Sequence, residues 1–128
     1  MAQTVESLFA AANAAIDTVA VHDAIEWLDR SDLVFVDVRD ALERRESGTI
    51  PRSLSAPRGH LEFYADPKTA IHKPELVSGK TLVVFCATGG RSTLATKTLV
   101  DMGIGKAVNL AGGFAAWREA GGPVETIG

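Results

Sequence analysis

Apolar and polar positions alternate in blocks along the chain, and each block predicts an element. In residues 3–16, Val5, Leu8, Phe9, Ala12 and Ile16 recur at helical spacing, which predicts an amphipathic helix docking its stripe on the domain. A sharper reading makes the same stripe a partner-binding surface. Thr18-Val19-Ala20-Val21 predicts a short strand, and His22 to Leu28 a helix with Ala24, Ile25 and Leu28 on one face. Leu33-Val34-Phe35-Val36-Asp37-Val38 is nearly continuous apolar, as expected of a strand buried on both faces in a parallel sheet. A charged helix over 41–46 follows, then a turn at Gly48-Thr49-Ile50-Pro51 and a short strand, Leu54-Ser55-Ala56-Pro57, stopped by its proline.

Residues 58–79 break this rhythm. Leu61, Phe63 and Tyr64 suggest a short helix, and Asp66-Pro67 and Lys73-Pro74 punctuate a long connection that ends at Ser78-Gly79. Irregular segments of this length are often functional. Regularity returns with a buried strand at Thr81 to Phe85. A helix over 92–102 is expected to turn Leu94, Thr98, Leu99 and Met102 inward, with Gly103 ending it. The last strand is Ala107 to Leu110, the last turn Gly112-Gly113 and the last helix Phe114 to Glu119. Strands alternating with helices give an α/β domain with a mainly parallel sheet.

Composition narrows the possibilities. A chain of 128 residues is expected to form one domain, with residues 1–17 as an N-terminal helical extension and 18–128 as the body. Its net charge of −3, with no basic block, argues against a nucleic-acid partner. The apolar runs are too short to span a membrane, so no membrane partner is expected. The N-terminus lacks a positive leading region, and Glu6, Asn13 and Asp17 interrupt its apolar positions, which makes the cytoplasm the expected location. The single cysteine, Cys86, cannot form an internal disulfide. It is either a small buried hydrophobe or a reactive thiol.

Its setting favours the thiol. Val83-Val84-Phe85 ends on Cys86, a loop of Ala87-Thr88-Gly89-Gly90-Arg91 follows, and a helical pattern opens at Ser92. In an open α/β sheet, ligands bind beyond the carboxyl ends of the strands, which is where Cys86 lies. An ordinary thiol is only about 3% ionised at neutral pH. A helix N-terminus lowers its pKa modestly, so inward-turned N–H groups and the charge of Arg91 are expected to supply the rest. Gly89 and Gly90 allow the backbone conformations this requires. Such a nest suits a compact anion, either a substrate or a covalent intermediate.

Cys86-Ala87-Thr88-Gly89-Gly90-Arg91-Ser92 resembles the C-x-x-G-x-R-S loop of rhodanese-like sulfurtransferases. Val36-Asp37-Val38-Arg39 resembles the family's aspartate–arginine strand end, Gly48-Thr49-Ile50-Pro51 its G-H-I-P turn, and Leu110-Ala111-Gly112-Gly113-Phe114 with Trp117 its L-x-G-G-x-x-x-W terminus. The four motifs occur in the family's order, and the likeness covers residues 18–125. It implies a three-layer α/β fold, with a five-stranded parallel sheet and helices on both faces. It also implies a Cys86 nucleophile carrying a covalent persulfide, with no cofactor and no metal. Residues 87 to 92 would bind the persulfide, and Arg91 would help hold a dianionic donor such as thiosulfate. A thiol, cyanide or a protein would then accept the sulfur.

The loop has six residues from cysteine to arginine, as in the sulfurtransferases. Related phosphatases and arsenate reductases use a longer loop, because a tetrahedral oxyanion needs a wider cradle than one sulfur atom. Thr49 stands where the family often has histidine. Ala87 and Thr88 lack the positive charge common in dedicated thiosulfate enzymes, which leaves the donor open. Arg58 and His60 are candidate residues of the mouth, with an ordinary solvated loop as the alternative. Asp37 and Arg39 are expected to pair with one another or with backbone groups as structural supports, Trp27 and Trp117 to pack, and His22 and His72, with no metal-ligand spacing around them, to lie on the surface. A contrasting function is a non-catalytic sulfur carrier or anion-binding module that acts with a protein partner.

Overall fold

The sequence forms a layered sheet because its apolar strands alternate with helices that cover both faces. The computed structural model describes residues 2–127. Residues 1 and 128, the outer limits of the expected 1–17 and 18–128 division, lie outside the described residues. The strands are β1 (Asp17–Val19), β2 (Leu33–Asp37), β3 (Leu54–Ser55), β4 (Thr81–Phe85) and β5 (Ala107–Leu110). They pair in the order β1-β5-β4-β2-β3, and every pairing is parallel. The helices are α1 (Val5–Ala15), α2 (Val21–Glu26), α3 (Ala41–Ser47), α4 (Leu61–Ala65), α5 (Gly90–Asp101) and α6 (Gly113–Glu119). The irregular 58–79 segment holds α4 between two short 3₁₀ turns, Arg58–His60 and Pro74–Val77.

β4 lies at the centre, and Leu82, Val83, Val84 and Phe85 are all fully buried. Successive strand residues point to opposite faces. Leu82, Val84 and Cys86 therefore join one core with Val36, Leu61, Leu76 and Leu99. Val83 and Phe85 join the other with Phe35, Phe114 and Trp117. The pleat thus directs Cys86 to the face covered by α4 and α5.

Three local expectations need correction. β1 ends at Val19, and Val21 opens α2 instead of extending the strand. α5 begins at Gly90, two residues before Ser92, because Gly89 takes a left-handed conformation (φ 111°) as its N-cap. The inward face of α5 is Ser92, Thr93, Ala95, Thr96 and Leu99. Leu94 and Thr98 are only half-buried, and Met102 is 41% exposed. Polar side chains face inward here because each finds a partner. Ser92 bonds Asn109, Thr93 bonds Gly89 O, and Thr96 bonds Ser92 O. α1 packs against α5. Its stripe docks in part, with Ala12 buried and Phe9 half-buried while Val5 remains 60% exposed. Among the described residues no helix is long and apolar enough to cross a membrane.

Candidate active site

The site begins with how the Cys86 loop turns its peptide planes. Cys86 O accepts from Phe114 N (2.8 Å) and Ala87 O from Ala115 N (3.0 Å), both in the first turn of α6. In a planar trans peptide the N–H points opposite its carbonyl. Holding these carbonyls outward therefore turns the N–H groups of Ala87 and Thr88 toward the loop interior. Gly89 O accepts the first helical bond of α5, from Thr93 N at 3.0 Å, and a bond from Thr93 Oγ1 at 2.7 Å.

Cys86 Sγ sits inside this ring. Gly89 N–H donates to it at 3.2 Å and Ser92 N–H at 3.4 Å, and the Ser92 hydroxyl lies 3.5 Å away. Cys86 is only 1% exposed. Burial pushes the thiol pKa up, while the Ser92 side chain beside the sulfur and hydrogen bonds from the N–H groups of Ser92, Gly89 and Thr88 pull it down. The hydrogen bonds outweigh burial, and the net direction is below the ordinary value.

Behind the sulfur lies a buried polar chain. Ser92 Oγ donates to Asn109 Oδ1 (2.7 Å), and Asn109 Nδ2 donates to Thr93 Oγ1 (3.1 Å). Among the described residues no buried side-chain nitrogen or oxygen lacks a partner. Thr93 fixes the Asn109 amide, and Asn109 fixes the Ser92 hydroxyl beside the sulfur.

Arg91 takes a different place from the one its motif suggested. Its two outer nitrogens each donate to a Glu43 carboxylate oxygen at 2.8 Å, in a bidentate pair between the loop and α3. Glu43 also closes the N-terminal capping box of α3 with Asp40. The Arg91 guanidinium holds the Glu43 carboxyl down at about 2, and Glu43 in turn raises the Arg91 pKa. Arg91 thus ties the loop to α3. Of the expected mouth residues, Arg58 bonds Glu62 and Thr98, and exposed His60 lies beside the Tyr64 ring. Neither bonds a loop residue.

The supports occur as expected. Buried Asp37 accepts from Arg39, from Arg44 and from the Thr49 hydroxyl at 2.9 Å. The hydroxyl gives Thr49 a bonding role at the position where the family often has histidine. Trp117 is fully buried, whereas Trp27 is half-buried. His72 is half-buried and bonded through Nδ1 to Tyr64 O. Among the described residues no group of three His, Cys, Asp or Glu could hold a metal ion.

Sequence reasoning missed Glu43 and Asn109. Each left a signal: Asp40-x-x-Glu43 is a capping-box spacing, and Asn109 is a polar residue within an apolar strand.

A parallel α/β sheet with a thiol at a strand end, ringed by N–H groups, defines a cysteine-loop domain. The chain belongs to the rhodanese-like domain family, whose model matches residues 20–120. It is 33% identical over 96 residues to a sulfurtransferase of Allochromatium vinosum, across 75% of this chain and 81% of that protein. It is 25% identical over 117 residues to the thiosulfate sulfurtransferase GlpE of Actinobacillus pleuropneumoniae, across 84% of this chain and 92% of that one. Among solved structures, it is similar to a protein from Rhodopseudomonas palustris described as of unknown function and a possible tyrosine phosphatase. That likeness has a TM-score of 0.94 and 42% identity, and it covers 98% of this chain and 96% of the other. These likenesses support sulfurtransferase chemistry in general terms.

Proposed function

We propose that the protein transfers sulfane sulfur through a persulfide on Cys86. The observation that carries this reading is the Cys86 sulfur held at the focus of inward N–H groups. The Cys86 thiolate attacks the outer sulfur of a donor such as thiosulfate. A Cys86 S–S bond forms, the donor S–S bond breaks, and its electron pair leaves with sulfite. An acceptor thiolate or cyanide then takes the outer sulfur, and Cys86 returns as the thiolate. This is double-displacement covalent catalysis. The fixed N–H donors stabilise the persulfide anion as an oxyanion hole stabilises oxygen. The mechanism needs a reduced Cys86, which suits a reducing compartment such as the cytoplasm.

The six-residue loop favours sulfur over a tetrahedral phosphate. The phosphatase description of the Rhodopseudomonas relative is therefore not extended to this chain. The Arg91–Glu43 pair favours a second reading. With Arg91 occupied, and Ala87 and Thr88 uncharged, the loop offers a dianion little cationic help. In this reading sulfur arrives on a protein persulfide, and the domain acts as a carrier with that partner.

Steady-state transfer from thiosulfate to cyanide tests the first reading. Turnover by the wild type, lost in Cys86→Ser, supports it. Hydrolysis of a phenyl phosphate without any sulfur transfer contradicts it.

A further inference from the structure

α1 lies outside the residues matched by the family model, yet it reaches the cysteine loop. The Phe9 ring approaches Gly90 closely enough that a β-carbon built there would stand 3.5 Å from Phe9 Cζ. Between helix and loop lies a cleft of about 260 Å³, lined by Phe9 and Asn13 from α1, by Thr88, Gly89 and Gly90 from the loop, and by Asn109. Gly89 is the residue whose N–H meets Cys86 Sγ at 3.2 Å, so a molecule resting against it lies next to the sulfur cradle.

No residue that lines the cleft carries a charge. The cleft on the other flank of the loop, about 250 Å³, differs in being lined by Arg39, Glu43, Glu46 and Arg118. A charged ligand in the α1 cleft would lose hydration without gaining an ion partner. An uncharged molecule fits better. Its carbon stem can lie on the Phe9 ring and the glycine backbone, and Asn13 and Thr88 offer hydrogen bonds. The volume is just below the usual range for small-molecule sites, which suits an occupant smaller than a drug-sized ligand.

We propose that this cleft is the acceptor subsite, built for a small uncharged thiol, and that Phe9 and Asn13 determine which acceptors it takes. The proposal rests on the persulfide reading above. The thiol loses its proton to water, and its sulfur attacks the outer sulfur of Cys86–S–S⁻. A new S–S bond forms, the bond from Cys86 to the outer sulfur breaks, and the electron pair stays on Cys86 Sγ among the Gly89 and Ser92 N–H groups. The acceptor departs as its own persulfide. In this account α1 is a working wall of the site.

The test separates the two half-reactions. Asn13 is exposed on α1, so Asn13→Trp fills the cleft without disturbing the core. Protein loaded with sulfur from thiosulfate is discharged with dithiothreitol or with cyanide, which is too small to need the cleft. Expected is a rise of about tenfold in KM for dithiothreitol, equivalent to about 1.4 kcal/mol. Phe9→Ala moves it in the same direction, and loading and cyanide discharge change less than about twofold in either variant. Equal changes for both acceptors, or no change for either, overturn the proposal. A second measurement does not depend on turnover. Dithiothreitol titrated into Cys86→Ser protein should shift the NMR signals of Gly89, Gly90 and the Asn13 side-chain amide, and Asn13→Trp should abolish the shifts. Their absence in Cys86→Ser overturns the subsite, whereas failure of the wild type to load sulfur overturns only the persulfide reading.

Discussion

Cys86 is reactive in this account because of what Ser92 and the loop amides donate to it. Removing the Ser92 hydroxyl takes away one of the polar contacts that hold the thiol pKa below its ordinary value. The rate of iodoacetamide alkylation against pH should therefore have its midpoint below that of free cysteine, and Ser92→Ala should move it upward. A downward move, or none, contradicts this role for Ser92. Glu43 makes a second prediction at the same scale. Its carboxyl stands at about 2 in the folded protein, against an ordinary value of 4.5. Between those values the unfolded chain binds more protons, so stability falls as pH falls. The contribution is fully present above about 4.5 and lost as the pH approaches 2. Urea denaturation between pH 5 and pH 2.5, as about the accessible range, should show a shallower loss in Glu43→Gln than in wild type. At this scale the sequence made Cys86 legible through its place at a strand end. It could not show that Arg91 turns to Glu43, because that pair joins residues far apart in the chain and depends on how α3 meets the loop.

Elements explain why the loop keeps its shape. Gly113 opens α6 at φ 64°, and a β-carbon there would lie 2.7 Å from Cys86 O and 2.8 Å from Ala87 O. Both carbonyls must stay where α6 captures them, or the N–H groups inside the loop turn away. Gly113→Ala should therefore destabilise the domain by about 1–3 kcal/mol through strain at that backbone position. It should also slow sulfur loading more than global stability alone explains. Urea unfolding and loading rates measured on the same samples check both. The Gly112-Gly113 pair was legible as a turn, and the strand–loop–helix order was legible from the apolar runs. The polar inner face of α5 was not. Helical periodicity assumes that inward means apolar, whereas Ser92 and Thr93 are buried against Asn109 of β5, and Thr96 against the Ser92 carbonyl one turn back in its own helix. The partial docking of α1 was hidden for a related reason, since periodicity predicts a stripe without showing how much of it is covered.

Across the whole molecule, the sheet order β1-β5-β4-β2-β3 places β4 between two partners and its carboxyl end at the centre of the upper edge. Blocks of β-branched residues revealed a parallel α/β sheet, but strand order depends on long-range packing that no local pattern records. The two cores explain the strands' lack of alternation, because both faces of β4 are buried. They also hold the cysteine loop from both sides, with α5 on one face and α6 on the other. The fold thus surrounds one sulfur atom on both faces, and the direct test of the proposed function is whether Cys86 accepts another. Intact-mass spectrometry after incubation with thiosulfate or a persulfide donor should show the wild type gaining the mass of one sulfur atom. The gain should be absent in Cys86→Ser and reversed by cyanide. A wild type that gains no sulfur from either donor, or a Cys86→Ser protein that gains it equally, would contradict the account.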